Sequence, residues 1–513
     1  MAIALLTGLV ACSTSSHDRD PVARDASPAL SVALPLPENA VNDAVAKLDS
    51  LAGELMASSG IPGMAVAVVH GGRTLYAKGF GVRDTGTGEK VGANTVFQLA
   101  SLSKPLAATI VAREVGAGTV SWDTPVTEAL PWFALSDPAV TRMLTVGDLL
   151  AHRSGLPDHA GDLLEDLGYD RRAVLERLRL LPLAQFRTSY AYTNFGVTAA
   201  AEAVASAAGT PWEELSERVL YRPLGMTSTS ARFTDYQARG DRAVGHVRVD
   251  GDYRPRYTRD PDPQSPAGGV SASVTDLTHW LTMLLGEGRY RGAQIVDPTA
   301  LLPAVTPQIV SSPSTQPAMR SGFYGYGFNV GTSAAGRVQI SHSGAFSLGV
   351  GTNFVAIPSA DVAIVVLTNA APTGIPETLT AEFADLVQFG EVREDWRALY
   401  AEAFATMERP VGELAGTQPP ADPAPARPLR SYLGSYANDY WGTATVAERD
   451  GALILTLGPR LEIYPLTHWD GEVFTFDLVS ENAPPGSISK ATFDGERLTL
   501  EFFDSDGMGT FSR

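Results

Sequence analysis

The sequence predicts an α+β domain, in which strands from both ends of the domain share one antiparallel sheet and the helices form a separate lobe, followed by a small all-β unit. Three observations predict it. Strand-like runs open and close the larger part, at residues 63–80 and 324–368, and the stretch between them reads as mostly helical. A Pro/Ala-rich segment, Gly416–Pro428, leads into short strands punctuated by Asn438-Asp439, Asp450-Gly451, Asp470-Gly471 and Asp494-Gly495, the pattern of a small barrel or sandwich. At 513 residues the chain is too long for a single core.

Taken in order, Met1–Cys12 is an apolar run ending in small residues, like the hydrophobic region of an export signal. Leu9-Val10-Ala11-Cys12 resembles a bacterial lipobox, although no Lys or Arg precedes it; Cys12 is the sole cysteine, so no intrachain disulfide can form. The expectation is a lipidated Cys12 and an exported protein, periplasmic or at the cell surface and tethered to a membrane by lipid. Residues 13–36, rich in Ser, Asp, Ala and Pro, read as the tether. No later segment is long and apolar enough to be a spanning helix. A helix is predicted over Asn42–Ser58. Gly63–His70 and Arg73–Phe80, joined by Gly71-Gly72, predict a hairpin. Apolar residues recurring at three and four predict helices over Leu102–Val115, Val146–Ala151, Arg172–Leu180, Phe195–Ala208, Trp212–Tyr221 and Val274–Leu285. Strands are predicted at Tyr324–Val330, Arg337–Ser341, Val350–Ile357 and Val362–Thr368. The boundaries are therefore 1–36 for signal and tether, 37–408 for the α+β domain, 409–428 for the linker and 429–513 for the all-β domain.

A net charge of −18 argues against nucleic acid or an anionic lipid surface as a partner. The chain has only five lysines, so a lysine inside a motif is informative. One of them is Lys104, in Gln98-Leu99-Ala100-Ser101-Leu102-Ser103-Lys104-Pro105, where an extended segment runs into a helix read as amphipathic. Residues three apart on a helix share a face about 5–6 Å apart, so Ser101 and Lys104 are within hydrogen-bond reach. The helix N-terminus favours an alkoxide, and burial lowers a lysine pKa enough for it to act as a neutral base. Pro105 is tolerated in a first turn. Ser487-Ile488-Ser489-Lys490 has the same spacing in a strand, where the two side chains point opposite ways, and reads as a solvated face.

Two further stretches add to this. Tyr190-Ala191-Tyr192-Thr193-Asn194 precedes an apolar helix; Tyr192 suits a proton shuttle and Asn194 a substrate amide, while core packing and an N-cap are the structural alternatives. Ser341-His342-Ser343-Gly344-Ala345 ends a β run, where Gly344 lets a substrate backbone approach and His342 can donate to a carbonyl or carboxylate. A nucleophile elbow of the Gly-x-Ser-x-Gly type is absent, Ala345-Phe346-Ser347-Leu348-Gly349 being a near miss in the wrong context. The eight histidines are scattered, no metal or cofactor is implied, and no glycine-rich nucleotide loop stands out.

Ser-Leu-Ser-Lys, then Tyr-Thr-Asn, then His-Ser-Gly resembles the three motifs of the serine β-lactamase/penicillin-binding-protein superfamily, over about residues 40–400. The Tyr-x-Asn form is similar to the class C β-lactamase, D-aminopeptidase and carboxylesterase branch, as are Leu149–Leu156 and Pro266–Val270. Tyr432–Tyr436 and Pro465–Trp469 resemble a lipocalin-like barrel that some of these hydrolases carry. The resemblance implies a β-lactamase/transpeptidase-like fold with a C-terminal barrel and no cofactor. It implies Ser101 as nucleophile, Lys104 and Tyr192 in proton transfer, Asn194 and His342 orienting substrate, and the N–H groups of Ser101 and Ala345 as an oxyanion hole. His152 and Arg153 belong to a segment read as structural. The third motif departs from the usual Lys-Thr-Gly: a titrating imidazole stands in place of a permanent cation. That turns the expected substrate away from β-lactams and towards a small ester, an amide or a D-amino-acid peptide, with β-lactamase or penicillin-binding sensor as the alternative. The barrel would act as a lid or as an oligomerisation module rather than as a ligand carrier, because so small a barrel fills with its own side chains.

Overall fold

The computed structural model describes Val32 and residues 34–513; Cys12 and most of the expected tether lie outside the described residues. The main elements are α1 (Ala40–Ser59), β1 (Gly63–His70), β2 (Arg73–Gly81), α2 (Ser103–Gly116), α3 (Asp162–Asp166), α4 (Asn194–Ala207), α5 (Val274–Leu285), β3 (Ile309–Ser312), β4 (Gly322–Tyr324), β5 (Asn329–Thr332), β6 (Val338–Phe346), β7 (Val350–Ile357), β8 (Val362–Thr368), α6 (Ile375–Phe389) and α7 (Trp396–Ala405). The sheet is antiparallel throughout, in the order β2-β1-β8-β7-β6-β5-β4-β3. The N-terminal hairpin thus closes onto the last strand, with Met64 opposite Thr368 and His70 opposite Val362.

β1 is apolar at every position because both its faces are covered. Met64, Val66 and Val68 meet α1 and α6 through Leu48, Leu55, Leu379 and Phe383. Ala65, Ala67 and Val69 face the helical lobe. α6, which the sequence reading missed, carries Leu379, Phe383 and Val387 at helical spacing and has a proline in its first turn. α2 is not amphipathic: Ser103–Ala112 are all buried, as expected of a helix inside a lobe. The single strand predicted at Tyr324–Val330 is two, β4 and β5, because Gly325 donates its N–H to the Phe328 carbonyl and the chain turns at Gly327, φ +78°. A Cβ at Gly327 would press on the Lys104 carbonyl and Ala108, so the turn sits directly on α2. β6 runs five residues beyond the predicted end, through the His-Ser-Gly motif.

The C-terminal strands β9 (Gly434–Asn438), β10 (Gly442–Arg449), β11 (Ala452–Leu457), β12 (Glu462–Asp470), β13 (Val473–Ser480), β14 (Ala483–Asp494), β15 (Arg497–Leu500) and β16 (Thr510–Ser512) form a closed barrel. Tyr432, Tyr436, Phe474 and Phe493 pack edge to face in its interior, with Tyr432 and Phe493 tilted at a centroid distance of 4.7 Å. The segment before it does not stand free. Val411 exchanges hydrogen bonds with Ser487 and Ile488, Ala424 with Asp470 and Gly471, and Arg427 pairs with Glu472. Ser487 is buried and holds this strap, while Lys490 pairs with Glu413, so that Ser-x-x-Lys is structural rather than simply solvated. Tyr169 and Arg177 of the lobe donate to the Trp441 and Tyr440 carbonyls of the barrel. No helix among the described residues is long and apolar enough to cross a membrane.

Candidate active site

Ser101 lies in the 3₁₀ turn Ala100–Leu102 that leads into α2. The preceding residue, Ala100, has φ +48°, a strained conformation for an L-residue and fully buried. The turn is gripped from the sheet. Thr352 of β7 donates to the Leu99 carbonyl at 2.8 Å, and Gly344 of β6 lies against the same turn. A Cβ at Gly344 would meet the Leu99 carbonyl, Thr352 Oγ1 and, at 3.0 Å, the Leu102 nitrogen. The space that the sequence reading gave to a substrate backbone beside Gly344 is filled by the turn that carries Ser101.

Ser101 Oγ receives hydrogen bonds from Lys104 Nζ at 2.9 Å and from the Tyr192 hydroxyl at 2.8 Å. Lys104 Nζ also donates to Asn194 Oδ1 at 2.6 Å and to the Ala267 carbonyl at 3.1 Å. Lys104 is wholly buried, and burial pushes its pKa down to about 7 against the opposing pull of Asp162. A neutral amine has two N–H groups and one lone pair. Two of its three partners, the carbonyl oxygens of Asn194 and Ala267, only accept, so in the neutral form the lone pair is left facing Ser101 Oγ. Burial holds the Tyr192 hydroxyl well above its ordinary range, so it stays protonated. Asn194 opens α4 but does not cap it; the amide is turned inwards, its Nδ2 donating to Asp162 Oδ2 at 2.7 Å.

His342 is 4 % exposed, and both its ring nitrogens have partners. Nδ1 donates to the Ser343 carbonyl at 2.6 Å, so Nε2 accepts from the Tyr324 hydroxyl at 2.8 Å. Burial and then the Lys104 charge push its pKa down to about 3. His342 is therefore a neutral ring pinned in place, and the expected donation from a titrating imidazole to a substrate carbonyl or carboxylate has no free N–H to make it. His152, also buried and held neutral, accepts the Thr193 N–H at Nδ1 and packs at a tilt against Tyr192, ring centroids 4.6 Å apart. It fixes the loop carrying Tyr192. Arg153 and Arg187 both pair with buried Asp148, a structural knot.

Beyond Ser341, opposite Asn329, β6 has no partner in β5, so the edge of residues 342–346, Ala345 included, borders the cleft. The opposite walls come from Asp162, Arg259 and Gln264. Asp162, Arg259, Gln264 and Asn329 are not among the candidates that the sequence offers, nor are Phe404 and Met407 at and just past the end of α7, or Glu481 and Asn482 in the β13–β14 turn of the barrel. Glu481 accepts the Ser347 N–H at 2.6 Å, just after the β6 edge, and Ser480 and Asn482 donate to Asp166 at 2.7 and 2.8 Å. Burial, partly offset by Arg259, pushes the Glu481 pKa up to about 8. No signal in the strand pattern of residues 473–494 marks this turn as part of a site in another domain. Among the described residues no cluster of three or more metal-ligating side chains occurs.

Residues 418–510 match a domain of unknown function, DUF3471. The chain is 28% identical over 421 residues to the unguisins hydrolase ungD of Aspergillus violaceofuscus, covering 74% of this chain and 73% of that protein. It is 28% identical over 379 residues to penicillin-binding protein 4 of Amycolatopsis lactamdurans, covering 72% and 91%. The octameric penicillin-binding protein homologue from Pyrococcus abyssi has the same fold, with a TM-score of 0.60 at 20% identity over 89% of this chain and 98% of that one. Residues 48–388 match the Beta-lactamase family, and the chain belongs to that family.

Proposed function

We propose that the protein is a serine hydrolase that cleaves small ester or amide bonds, of the carboxylesterase or D-amino-acid peptidase kind, through an acyl-enzyme on Ser101. The observation that carries this reading is Ser101 Oγ held between Tyr192 and a buried Lys104 whose proton affinity burial has brought near neutrality. In acylation the Lys104 lone pair takes the Oγ proton as the Oγ–C bond forms. The proton passes, by way of Lys104 or the Tyr192 hydroxyl, to the leaving alkoxide or amine as its bond to carbon breaks. Water then attacks the acyl carbon, its proton taking the reverse route, and Ser101 is released with the acid. The N–H groups of Ser101 and Ala345 are the proposed oxyanion donors, worth on the order of 3 kcal/mol each. The second N–H of Asn194 Nδ2 is left for a substrate carbonyl.

The substrate class follows from what lines the cleft. With His342 neutral, β6 offers no cation for a substrate carboxylate, and Phe346, Phe404 and Met407 supply apolar wall. That favours uncharged esters and small amides. The resemblance to an unguisins hydrolase supports hydrolysis, and the resemblance to a penicillin-binding protein favours a second reading, acylation by β-lactams with little turnover. Purified protein tested on p-nitrophenyl esters, D-amino-acid amides and nitrocefin distinguishes them. Hydrolysis that survives Ser101→Ala refutes the nucleophile, and penicillin labelling without turnover of any substrate establishes the second reading. We also infer lipid attachment at Cys12 and export from the sequence; release of the protein into the soluble fraction by Cys12→Ser tests both. Assembly through the barrel is a further proposal, which light scattering decides.

A further inference from the structure

We propose that Asp162 is a positioning residue that sets which atom of the Asn194 amide faces Lys104, and so aims the Lys104 lone pair at Ser101. The inference rests on the hydrolase reading above. An asparagine amide can be seated either way round, and its orientation is decided by what each end meets. Asp162 Oδ2 accepts from Asn194 Nδ2 at 2.7 Å, and a carboxylate can only accept. The amide oxygen must therefore turn to Lys104, where it takes one N–H at 2.6 Å; the Ala267 carbonyl takes the other. Reversed, the amide would present N–H groups to Lys104 and draw the lone pair away from Ser101. Asp162 is itself held: His159 Nδ1 donates to the same Oδ2 at 2.7 Å, and the His159 side chain is 53% exposed. The relay thus runs from solvent through His159, Asp162, Asn194 and Lys104 to Ser101.

The charges around this relay leave Asp162 and His159 as its adjustable pair. On α3, Glu165 is paired with Arg259 at 2.7 Å and Asp166 is bound by Ser480 and Asn482. Tyr190 and Tyr192 from the loop before α4, and Tyr440 from the barrel, are all held protonated by burial. Asp158 is 3.8 Å from His159 Nε2 and accepts the Tyr192 N–H. His152 and His342 stay neutral. The Asp162 charge favours the protonated form of Lys104, and its bond to His159 supports the charged imidazole.

The test is the second-order rate of Ser101 labelling by a fluorophosphonate as a function of pH, a reaction that needs no knowledge of the substrate: the Oγ–P bond forms, P–F breaks and Lys104 takes the proton. In Asp162→Asn the plateau rate is expected to fall at least about tenfold through misalignment. Its acid limb is expected to move about one pH unit lower, because a charge stabilising protonated Lys104 is gone. In His159→Gln, which can still donate to Asp162, the limb is expected to move the other way. Limbs that coincide with wild type in both folded variants, or that shift in the same direction, overturn the proposal. A wild-type protein that is not labelled at Ser101 refutes instead the hydrolase reading on which it rests.

Discussion

Replacing Gly344 by alanine adds one methyl group where the sheet meets the nucleophile turn. The backbone of β6 can hold an alanine, since Gly344 is not among the residues with positive φ. The obstacle is space. The added Cβ would fall inside contact distance of the Leu99 carbonyl, Thr352 Oγ1 and the Leu102 nitrogen. To reach the ordinary 3.5–4 Å separation the turn must retreat from β6 by about 1 Å. That motion strains the Thr352 grip on Leu99 and carries Ser101 away from Lys104 and Tyr192. Overpacking of this kind costs about 1–3 kcal/mol of stability, and a reacting atom displaced by about 1 Å costs on the order of 100-fold in rate. The assay pairs fluorophosphonate labelling of Ser101 with a thermal melt. The expected result is a labelling rate about two orders of magnitude lower with a melting temperature lower by only a few degrees. Wild-type labelling at an unchanged melting temperature would refute the reasoning, because the turn would then not depend on that contact.

Four other outcomes follow from the same geometry. Labelling and hydrolysis should rise with pH through about 7 as Lys104 loses its proton and vanish as pH falls below it; a limb near the ordinary lysine value would show that burial does not depress this amine. Lys104→Arg, permanently charged, should abolish that limb and lower the rate by at least about 100-fold. Glu481→Ala removes the acceptor for the Ser347 N–H beside the β6 edge, so KM should rise more than kcat falls, at a stability cost of about 1–3 kcal/mol; unchanged kinetics would remove the barrel turn from the cleft wall. His342→Phe strands the Tyr324 hydroxyl and should cost about 1–3 kcal/mol in denaturant titration while leaving the acid limb in place, whereas loss of that limb would mean that His342 titrates in the reaction.

The sheet and the helical lobe were legible because their signals are local. Val274–Leu285 keeps a helical periodicity throughout, and Val350–Ile357 is a short β-prone run that ends at the Pro358 turn. Ser101, Lys104 and Tyr192 were legible because each lies in a short motif at an element boundary. What stayed hidden depends on neighbours distant in the chain. The character of α2 is set by burial on every side, which its own sequence does not display. The position of His342 in the sequence suggests a donor, but its chemistry is decided by Tyr324, eighteen residues away on β4. Asp162 sits in an acidic five-residue helix that resembles any solvent-facing turn until Asn194 is brought against it. Glu481 belongs to a different domain altogether.

The strap of residues 409–428 joins the barrel to the preceding domain covalently, while the β13–β14 turn and the bonds of Tyr169 and Arg177 to Trp441 and Tyr440 hold the two together without covalent links. A short tether keeps its cargo at an effective local concentration on the order of millimolar. The contacts of Ser480, Glu481 and Asn482 therefore need only millimolar-strength affinity of their own to keep the cleft walled for most of the time. Because that requirement is so modest, a few substitutions in one turn can reshape the entrance while Ser101 and its partners, hundreds of residues earlier in the chain, stay as they are.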